Sequence, residues 1–379
     1  MKLTIENERL ADAAQWAMRA VPARPPVPLL AGILINVTED TLTLSGFDYY
    51  VSCRATENAD IDEPGQAVVS GRLLTDIVRA LPKQPVILTE DDTDLILTCG
   101  KARFTLPKLP LEEYPALPKL PAASGKISAA ALEDLCTRVS VAAGTDATLP
   151  VLTGVEITYT SEHLTLGATD RYRFNLGKTT WTPNAKGKAK EGGTVLVPAS
   201  SLRDVAKALG DTEAEATIAF TSNGFAVSTG DRHLTTGLLD GALPKYKGLF
   251  PTTFESVATT SSAELIAAVK RAALVLGKAD LLFLEIAADQ ITVRAGTHDT
   301  GTALDCADAS LEGEPLTIAF NPKLLLESLQ GIVTESEQVQ LNFTTPAKPA
   351  TIHAPGRADS FSTLLMPIRT TETTPAAAA

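Results

Sequence analysis

Apolar and threonine residues alternate in the same way at three places along the chain: Leu42-Thr43-Leu44, Leu164-Thr165-Leu166 and Ile291-Thr292-Val293. A period of two suits an antiparallel strand with one face in a core and the other in water. Each stretch runs on to an aspartate, Asp48, Asp170 or Asp299. Each also follows a second apolar run: Gly32-Ile33-Leu34-Ile35, Gly154-Val155-Glu156-Ile157 or Leu282-Phe283-Leu284-Glu285-Ile286. The three copies start 122 and 127 residues apart, so one unit is repeated three times.

Helical periodicity flanks each strand pair. Upstream it covers residues 7–20, 128–141 and 261–275. Downstream it opens at Ser70-Gly71-Arg72, Pro198-Ala199-Ser200 and Asn321-Pro322-Lys323, and an acid follows in the second turn: Asp76, Asp204 or Glu327. Ser and Asn satisfy free N–H groups at a helix start, and Pro is tolerated there. Further apolar runs such as Val86-Ile87-Leu88 and Val339-Gln340-Leu341 come next. The unit therefore reads β-α-β-β-β, twice per domain, in an α+β protein of three like domains. Repeats of about 120 residues are too long for a solenoid turn and large enough to hold a core of their own. Boundaries are expected in the Pro-rich stretch 117–124 and at 250–254, which gives domains at 1–122, 123–251 and 252–370. Residues 183–193 read as a flexible excursion and 371–379 as a disordered tail.

Charge changes the picture. A formal net charge of −12 on 379 residues excludes a surface that grips nucleic acid all over. In the helical stretches, however, basic residues outnumber acidic ones, so a mildly positive set of helices sits within an acidic shell. If two such chains close head to tail, six domains bring twelve helices around one axis. At about 10 Å per helix the circumference is roughly 120 Å and the clear bore roughly 28 Å, enough for a hydrated duplex. Such a lining holds DNA loosely and without sequence readout. Arg79, Lys83, Lys207, Lys270 and Arg271 are the candidates for it.

With these features in place, the chain resembles the bacterial beta sliding clamps from end to end. The likeness rests on Ala23-Arg24-Pro25-Pro26-Val27-Pro28-Leu29-Leu30, Pro150-Val151-Leu152-Thr153-Gly154 and Ala168-Thr169-Asp170-Arg171-Tyr172-Arg173-Phe174. It continues in Pro244-Lys245-Tyr246-Lys247-Gly248-Leu249-Phe250-Pro251, Ala319-Phe320-Asn321-Pro322 and Leu364-Leu365-Met366-Pro367-Ile368-Arg369. Short strings of this kind are weak singly; their order on a three-repeat chain is specific. The resemblance implies a homodimeric ring with helices lining its bore. Such a ring encircles double-stranded DNA and tethers the replicative polymerase for processivity.

The resemblance also implies a groove between the second and third domains that takes short peptide motifs from the polymerase, the clamp loader and repair polymerases. Its matching positions are Leu152, Thr169, Arg171, Tyr172, Arg173, Phe174, Pro244, Leu249, Asn321, Leu324, Leu364, Leu365, Met366, Pro367, Ile368 and Arg369. Leu, Met, Ile and Pro make an adaptable apolar slot, and Arg173 and Asn321 offer groups for peptide backbone or a Gln side chain. Phe104 and Leu106 are expected to meet Leu274 and Val275 of a second copy, and Arg24 to contact DNA. The chain departs from the family pattern at Thr370, at Gly248 and in Asp280-Leu281-Leu282-Phe283. These departures raise an alternative, a specialised second clamp copy that tolerates an inhibitor of the groove.

Enzyme chemistry finds little to work with. His163, His233, His298 and His353 are isolated, and no phosphate loop or nucleophile elbow occurs. A metal-dependent hydrolase would need Asp48, Asp170 and Asp299 together, yet they fall at one place in three repeats, where turn-capping is the better reading. A peptide-binding scaffold that never encircles DNA is the remaining alternative. Cys53, Cys99, Cys136 and Cys306 are scattered and read as reduced thiols rather than metal ligands. No cofactor is expected. No apolar run is long enough to cross a bilayer and the N-terminus lacks a signal pattern, so a cytoplasmic protein is expected.

Overall fold

Antiparallel hydrogen bonding links the whole chain. The computed structural model describes residues 1–184, 192–209, 214–246, 248–277, 281–297 and 301–370. The expected tail, most of the expected excursion, Lys278, His298, Asp299 and Asp280 lie outside these described residues.

The first repeat runs β1 (Lys2–Glu6), α1 (Asn7–Ala17), β2 (Gly32–Val37), β3 (Thr41–Phe47), β4 (Val51–Asn58) and β5 (Asp60–Glu63). It continues with β6 (Gly65–Ser70), α2 (Gly71–Ala80), β7 (Pro85–Glu90), β8 (Asp94–Cys99) and β9 (Ala102–Leu109). The second runs β10 (Gly125–Ser128), α3 (Ala129–Ser140), β11 (Gly154–Tyr159), β12 (His163–Thr169), β13 (Arg173–Thr180) and β14 (Thr182–Pro183). Then come β15 (Gly193–Pro198), α4 (Ala199–Leu209), β16 (Glu215–Phe220), β17 (Gly224–Thr229) and β18 (Arg232–Gly237). The third runs β19 (Ser256–Ser261), α5 (Ser262–Ala272), β20 (Leu282–Ile286), β21 (Gln290–Thr297) and β22 (Gly301–Gly313). It ends with β23 (Leu316–Phe320), α6 (Pro322–Val333), β24 (Gln338–Phe343), β25 (Ala350–His353) and β26 (Phe361–Leu365). Small strands β5 and β14 apart, each repeat is the β-α-β-β-β unit twice.

Local sequence explains these elements. Leu42, Leu44, Leu164, Leu166, Ile291 and Val293 are buried while the interleaved threonines stay half-exposed, so the alternation is the strand register itself. The helices pack in pairs within each repeat, α1 on α2, α3 on α4 and α5 on α6. Ser70, Ser128 and Ser261 each accept an N–H of the first turn at 3.4 Å, and Asn321 accepts two, at 3.0 and 3.1 Å. Asp48 and Asp170 cap corresponding turns: each Oδ1 accepts two backbone N–H groups, from Tyr50 and Val51 and from Tyr172 and Arg173. Those turns hold Tyr49 and Arg171 at φ of 76° and 80°, a left-handed conformation that a non-glycine residue adopts only when its surroundings fix it. Neither carboxylate is left poised for chemistry.

The repeats join by sheet continuation. β4 of the first pairs with β18 of the second, Val51 opposite Thr236 and Ala55 opposite Arg232. β13 of the second pairs with β26 of the third, Arg173 opposite Leu365 and Gly177 opposite Phe361. Side chains pin both seams. At the first, Trp16 Nε1 donates to the His233 carbonyl at 3.2 Å, and Glu57 receives both Arg9 and Arg232. At the second, Arg138 lies 4.5 Å from the Phe361 ring centre and binds Asp134 and Glu335. Arg138 is therefore buried and neutralised, and it adds nothing to a basic helical lining, contrary to what its helical position suggests.

His233 also sits at the first seam, its Nδ1 2.8 Å from Ser228 Oγ. Burial lowers its pKa below the usual histidine range, Arg54 adding to the effect and Asp231 opposing it. The unfolded chain therefore takes up this proton first as pH falls. The contribution to stability is complete above the unfolded value of about 6.5 and is lost as pH drops from there toward the lowered folded value. Urea midpoints measured between about pH 7 and pH 5 should fall less steeply for His233→Gln than for the parent.

Candidate functional site

Where β13 meets β26, a small apolar cluster forms apart from the main core. Phe174, Leu196, Leu243, Tyr246 and Leu364 are its buried members, and Val151, Leu152, Leu176, Leu239 and Phe250 pack against them. Phe174 and Leu364 stand opposite each other in the strand register, which brings the second and third domains to one floor. Tyr246 lies over Phe174 with ring centres 4.4 Å apart, and Phe250 meets it edge-on at 6.0 Å. Burial raises the Tyr246 pKa and the nearby Glu156 charge adds to it, so the hydroxyl stays neutral.

Large apolar side chains ring this floor without covering it. Tyr172 is 58% exposed, Leu249 52% and Met366 42%. Pro244, Arg171 and Arg369 are exposed as well, and Leu152, Asn321, Leu324, Pro367 and Ile368 are half-buried. The Met366 N–H donates to the Tyr172 carbonyl at 2.9 Å, and the Ile368 N–H to the Ala319 carbonyl at 2.8 Å, which fixes the path of the last segment beside the floor. The result is a shallow trough with an aromatic base and an adaptable Met, Leu and Pro margin. Such a surface can take the apolar side chains of an extended or single-turn peptide.

Three expected members do other work. Leu365 points into the main core and is fully buried, because it alternates with Leu364 across the strand. Thr169 is buried and fixes the turn, its Oγ1 donating to the Arg173 carbonyl at 2.6 Å and accepting from the Arg171 N–H at 3.1 Å. Arg173 is a tie between domains rather than a free peptide ligand. It reaches Asp170 at 3.1 Å, Glu327 of α6 at 2.6 Å and the Val141 carbonyl at 2.6 Å. Asn321 spends its carbonyl oxygen capping α6, so only its amide NH₂ remains for a ligand. Tyr246 and Phe250, missed as site residues, lie inside the Pro244-to-Pro251 motif that carried the resemblance, and Leu243 stands just before it. Val151 sits beside Leu152; Leu196 and Leu239 carry no local signal.

A second feature lies at the chain's two far edges. Residues 102–107 of β9 pair with β8, and residues 301–308 of β22 pair with β21; among the described residues no strand pairs with either on its other side. Both carry exposed apolar groups, Phe104 at 37% and Leu304 at 74%, with Leu274 near the end of α5 at 84%. Leu304 was not foreseen; an exposed Leu on a strand flanked by Ala303 and Asp305 gives no periodic signal. Leu106, expected at a subunit contact, is 1% exposed and belongs to the first domain's core, and Val275 is half-buried.

The expected DNA-facing cations are all exposed, but they differ in what holds them. Lys83 reaches Glu8 at 2.6 Å and Lys207 reaches Asp204 at 4.0 Å, while Arg24, Arg79 and Lys270 form no ion pair among the described residues. Arg271 grips Asp305 of β22 through two nitrogens, at 2.5 and 3.1 Å. It is the tenth residue of α5, as Trp16 is of α1 and Arg138 of α3, and both of those reach across a domain seam. Its place in the repeat is thus beside the open edge of β22, and it stays exposed there.

Family models for the DNA polymerase III beta subunit match the chain in three pieces: the N-terminal domain at residues 1–118, the central domain at 126–245 and the C-terminal domain at 247–369. The chain is 43% identical to the beta sliding clamp of Streptomyces coelicolor, over 97% of this chain and 99% of the relative. It is 37% identical to the beta sliding clamp homolog GriR of Streptomyces muensis, over 97% and 99%. Among solved structures, the DNA polymerase sliding clamp of Bacillus subtilis superposes with a TM-score of 0.91 at 28% identity, covering 98% of this chain and 99% of that one.

Removing Arg173 tests the tie between domains. Arg173→Ala leaves Asp170, Glu327 and a backbone carbonyl without their shared donor, and it should lower urea-unfolding stability by about 2–3 kcal/mol, Arg173→Lys by less.

Proposed function

The chain belongs to the DNA polymerase III beta subunit family, the beta sliding clamps, and from that premise we propose how its own residues close the ring and receive partners. The protein is a DNA sliding clamp, a processivity factor. The observation that carries the residue-level reading is the shared construction of the two internal seams. In each, the fourth strand of one repeat takes the last strand of the next. The third repeat's equivalent strand, β22, has an open edge, and the first repeat's last strand, β9, has the other.

Carrying the internal register over sets Ala102 to Leu106 of one chain against Asp305 to Gly301 of the next. Phe104 then faces Ala303, Arg103 faces Leu304, and Asp305, which Arg271 already holds, stands opposite Ala102. Two such seams close a head-to-tail dimer in which neither of these two edges is left open, and closure on itself is what separates a ring from a filament. Duplex DNA inside such a ring is retained by topology, so contacts from Arg24, Arg79 and Lys270 stay weak and mobile. Partners dock by short apolar peptides in the trough over Phe174 and Leu364. The specialised, inhibitor-tolerant copy is not favoured, since relatives and solved structures that the chain resembles are named simply as sliding clamps.

Two experiments test this reading. In analytical ultracentrifugation, Phe104→Asp should convert dimers to monomers, and adding Ala303→Lys should restore dimers by setting opposite charges face to face; monomers in both would sink the register. In fluorescence anisotropy, a labelled Gln-Leu-x-Leu-Phe peptide should bind the parent and bind Met366→Asp at least about tenfold more weakly. Equal affinity would place the peptide elsewhere.

A further inference from the structure

The junction of the first and second domains is built like the one that carries the trough, yet it is lined differently. The Gly237 N–H donates to the Tyr50 carbonyl at 2.9 Å, as Met366 does to Tyr172. Tyr49 repeats the left-handed turn position of Arg171. At this junction lies a cavity of about 350 Å³. One wall is Phe47, Tyr49 and Tyr50; the facing wall is Asn223 and Phe225 with the linker residues Pro118, Lys119 and Pro121.

Tyr49 and Tyr50 are 58% and 76% exposed, an unusual exposure for two adjacent aromatic residues. Tyr49 is not free to wander. Its φ is fixed by the Asp48-capped turn, and its ring lies 5.8 Å from that of Phe47. The facing linker is anchored as well, since Arg54 donates to the Pro118 carbonyl. Rigid tyrosines offer large amphipathic contact area at low entropic cost, and aromatic-lined clefts suit proline rings of an extended chain. Lys119, exposed at the rim, adds a positive charge.

We propose that this cavity is a second docking site, for an extended proline-containing acidic segment of a protein already tethered through the trough. The inference rests on the docking reading above. The Gly237–Tyr50 and Met366–Tyr172 hydrogen bonds hold one place in the repeat, so the cavity is the counterpart, at the neighbouring junction, of the trough. Prolines lie on Tyr49 and Tyr50, and an acidic side chain meets Lys119. Linked binding raises the effective concentration at a weak second site, so modest affinity there is sufficient.

The test uses the full chain with 3-fluorotyrosine at its six tyrosines, read by fluorine NMR and assigned with Tyr→Phe variants. Three probes are titrated: the Gln-Leu-x-Leu-Phe peptide, a decapeptide alternating Pro and Asp and ending in Phe, and oligothymidine. The Pro/Asp peptide should move the Tyr49 and Tyr50 signals and leave Tyr172 and Tyr246 in place, while the Gln-Leu-x-Leu-Phe peptide does the reverse. Tyr50→Ser should weaken the Pro/Asp peptide at least about fivefold without changing the affinity of the other peptide. If only the Gln-Leu-x-Leu-Phe peptide moves signals, the second site is overturned and the trough stands. If neither peptide moves any signal, both fall. If oligothymidine moves Tyr49 and Tyr50 and the Pro/Asp peptide does not, the cavity is a stacking platform for single strands and the proposal is overturned.

Discussion

A strand at the edge of a sheet exposes a row of N–H and C=O groups that must find partners, and this molecule is organised by where it leaves such rows. Each repeat alone would leave an edge open on its fourth strand and another on its last. Inside the chain those edges are used up, β4 by β18 and β13 by β26, so two sheets run uninterrupted across domain boundaries. Every other feature of functional interest is placed by this pairing. The trough lies where β13 meets β26, the Tyr49–Tyr50 cavity where β4 meets β18, and the proposed subunit contact where β22 and β9 each keep an open edge. An edge of several residues with apolar side chains is a hazard of uncontrolled association unless a specific partner covers it.

The backbone arrangement is common to the seams, while the side chains that lock it are not. The first seam uses an indole donor and a carboxylate shared by two arginines. The second uses two buried arginines, Arg138 and Arg173, each engaged on more than one side. At the open edge, Arg271 and Asp305 form their pair within one chain and in contact with water, Arg271 being largely exposed. An exposed ion pair is screened and worth little, so the third seam relies on apolar contact and strand pairing. It also lacks the connecting peptide that holds the other two. On the proposed closure, those differences make it the weakest of the three seams.

Much of this was legible in the chain itself because the repeat writes each element three times. Leu42, Leu164 and Ile291 carry the strand register, and Ser70, Ser128, Ser261 and Asn321 mark the helix starts; these are local signals that packing does not override. The site was legible only in part. Motif likeness picks out residues near the trough, but it cannot tell which side of a strand they face, so Leu365 and Leu364 look alike in sequence and differ in the fold. Nor can it show that Arg173 and Arg138 spend their charge across a seam, because Glu327 and Glu335 lie more than a hundred residues away. Leu304 was invisible for the same reason: an edge strand shows itself only by what fails to pair with it.

Charge placement explains how such a ring can hold DNA and still move. Cations fixed in pairs with neighbouring carboxylates, as Lys83 is with Glu8 and Lys207 with Asp204, present a muted field to a phosphate. Each phosphate contact a protein makes releases counterions and tightens binding, so a surface of many free arginines would stall on the duplex. A chain of net charge −12 with a few free cations among its helices avoids that outcome. On the proposed closure, retention comes from the joined sheet edges, whose hydrogen bonds must break before DNA can leave sideways, and mobility comes from having little else to break.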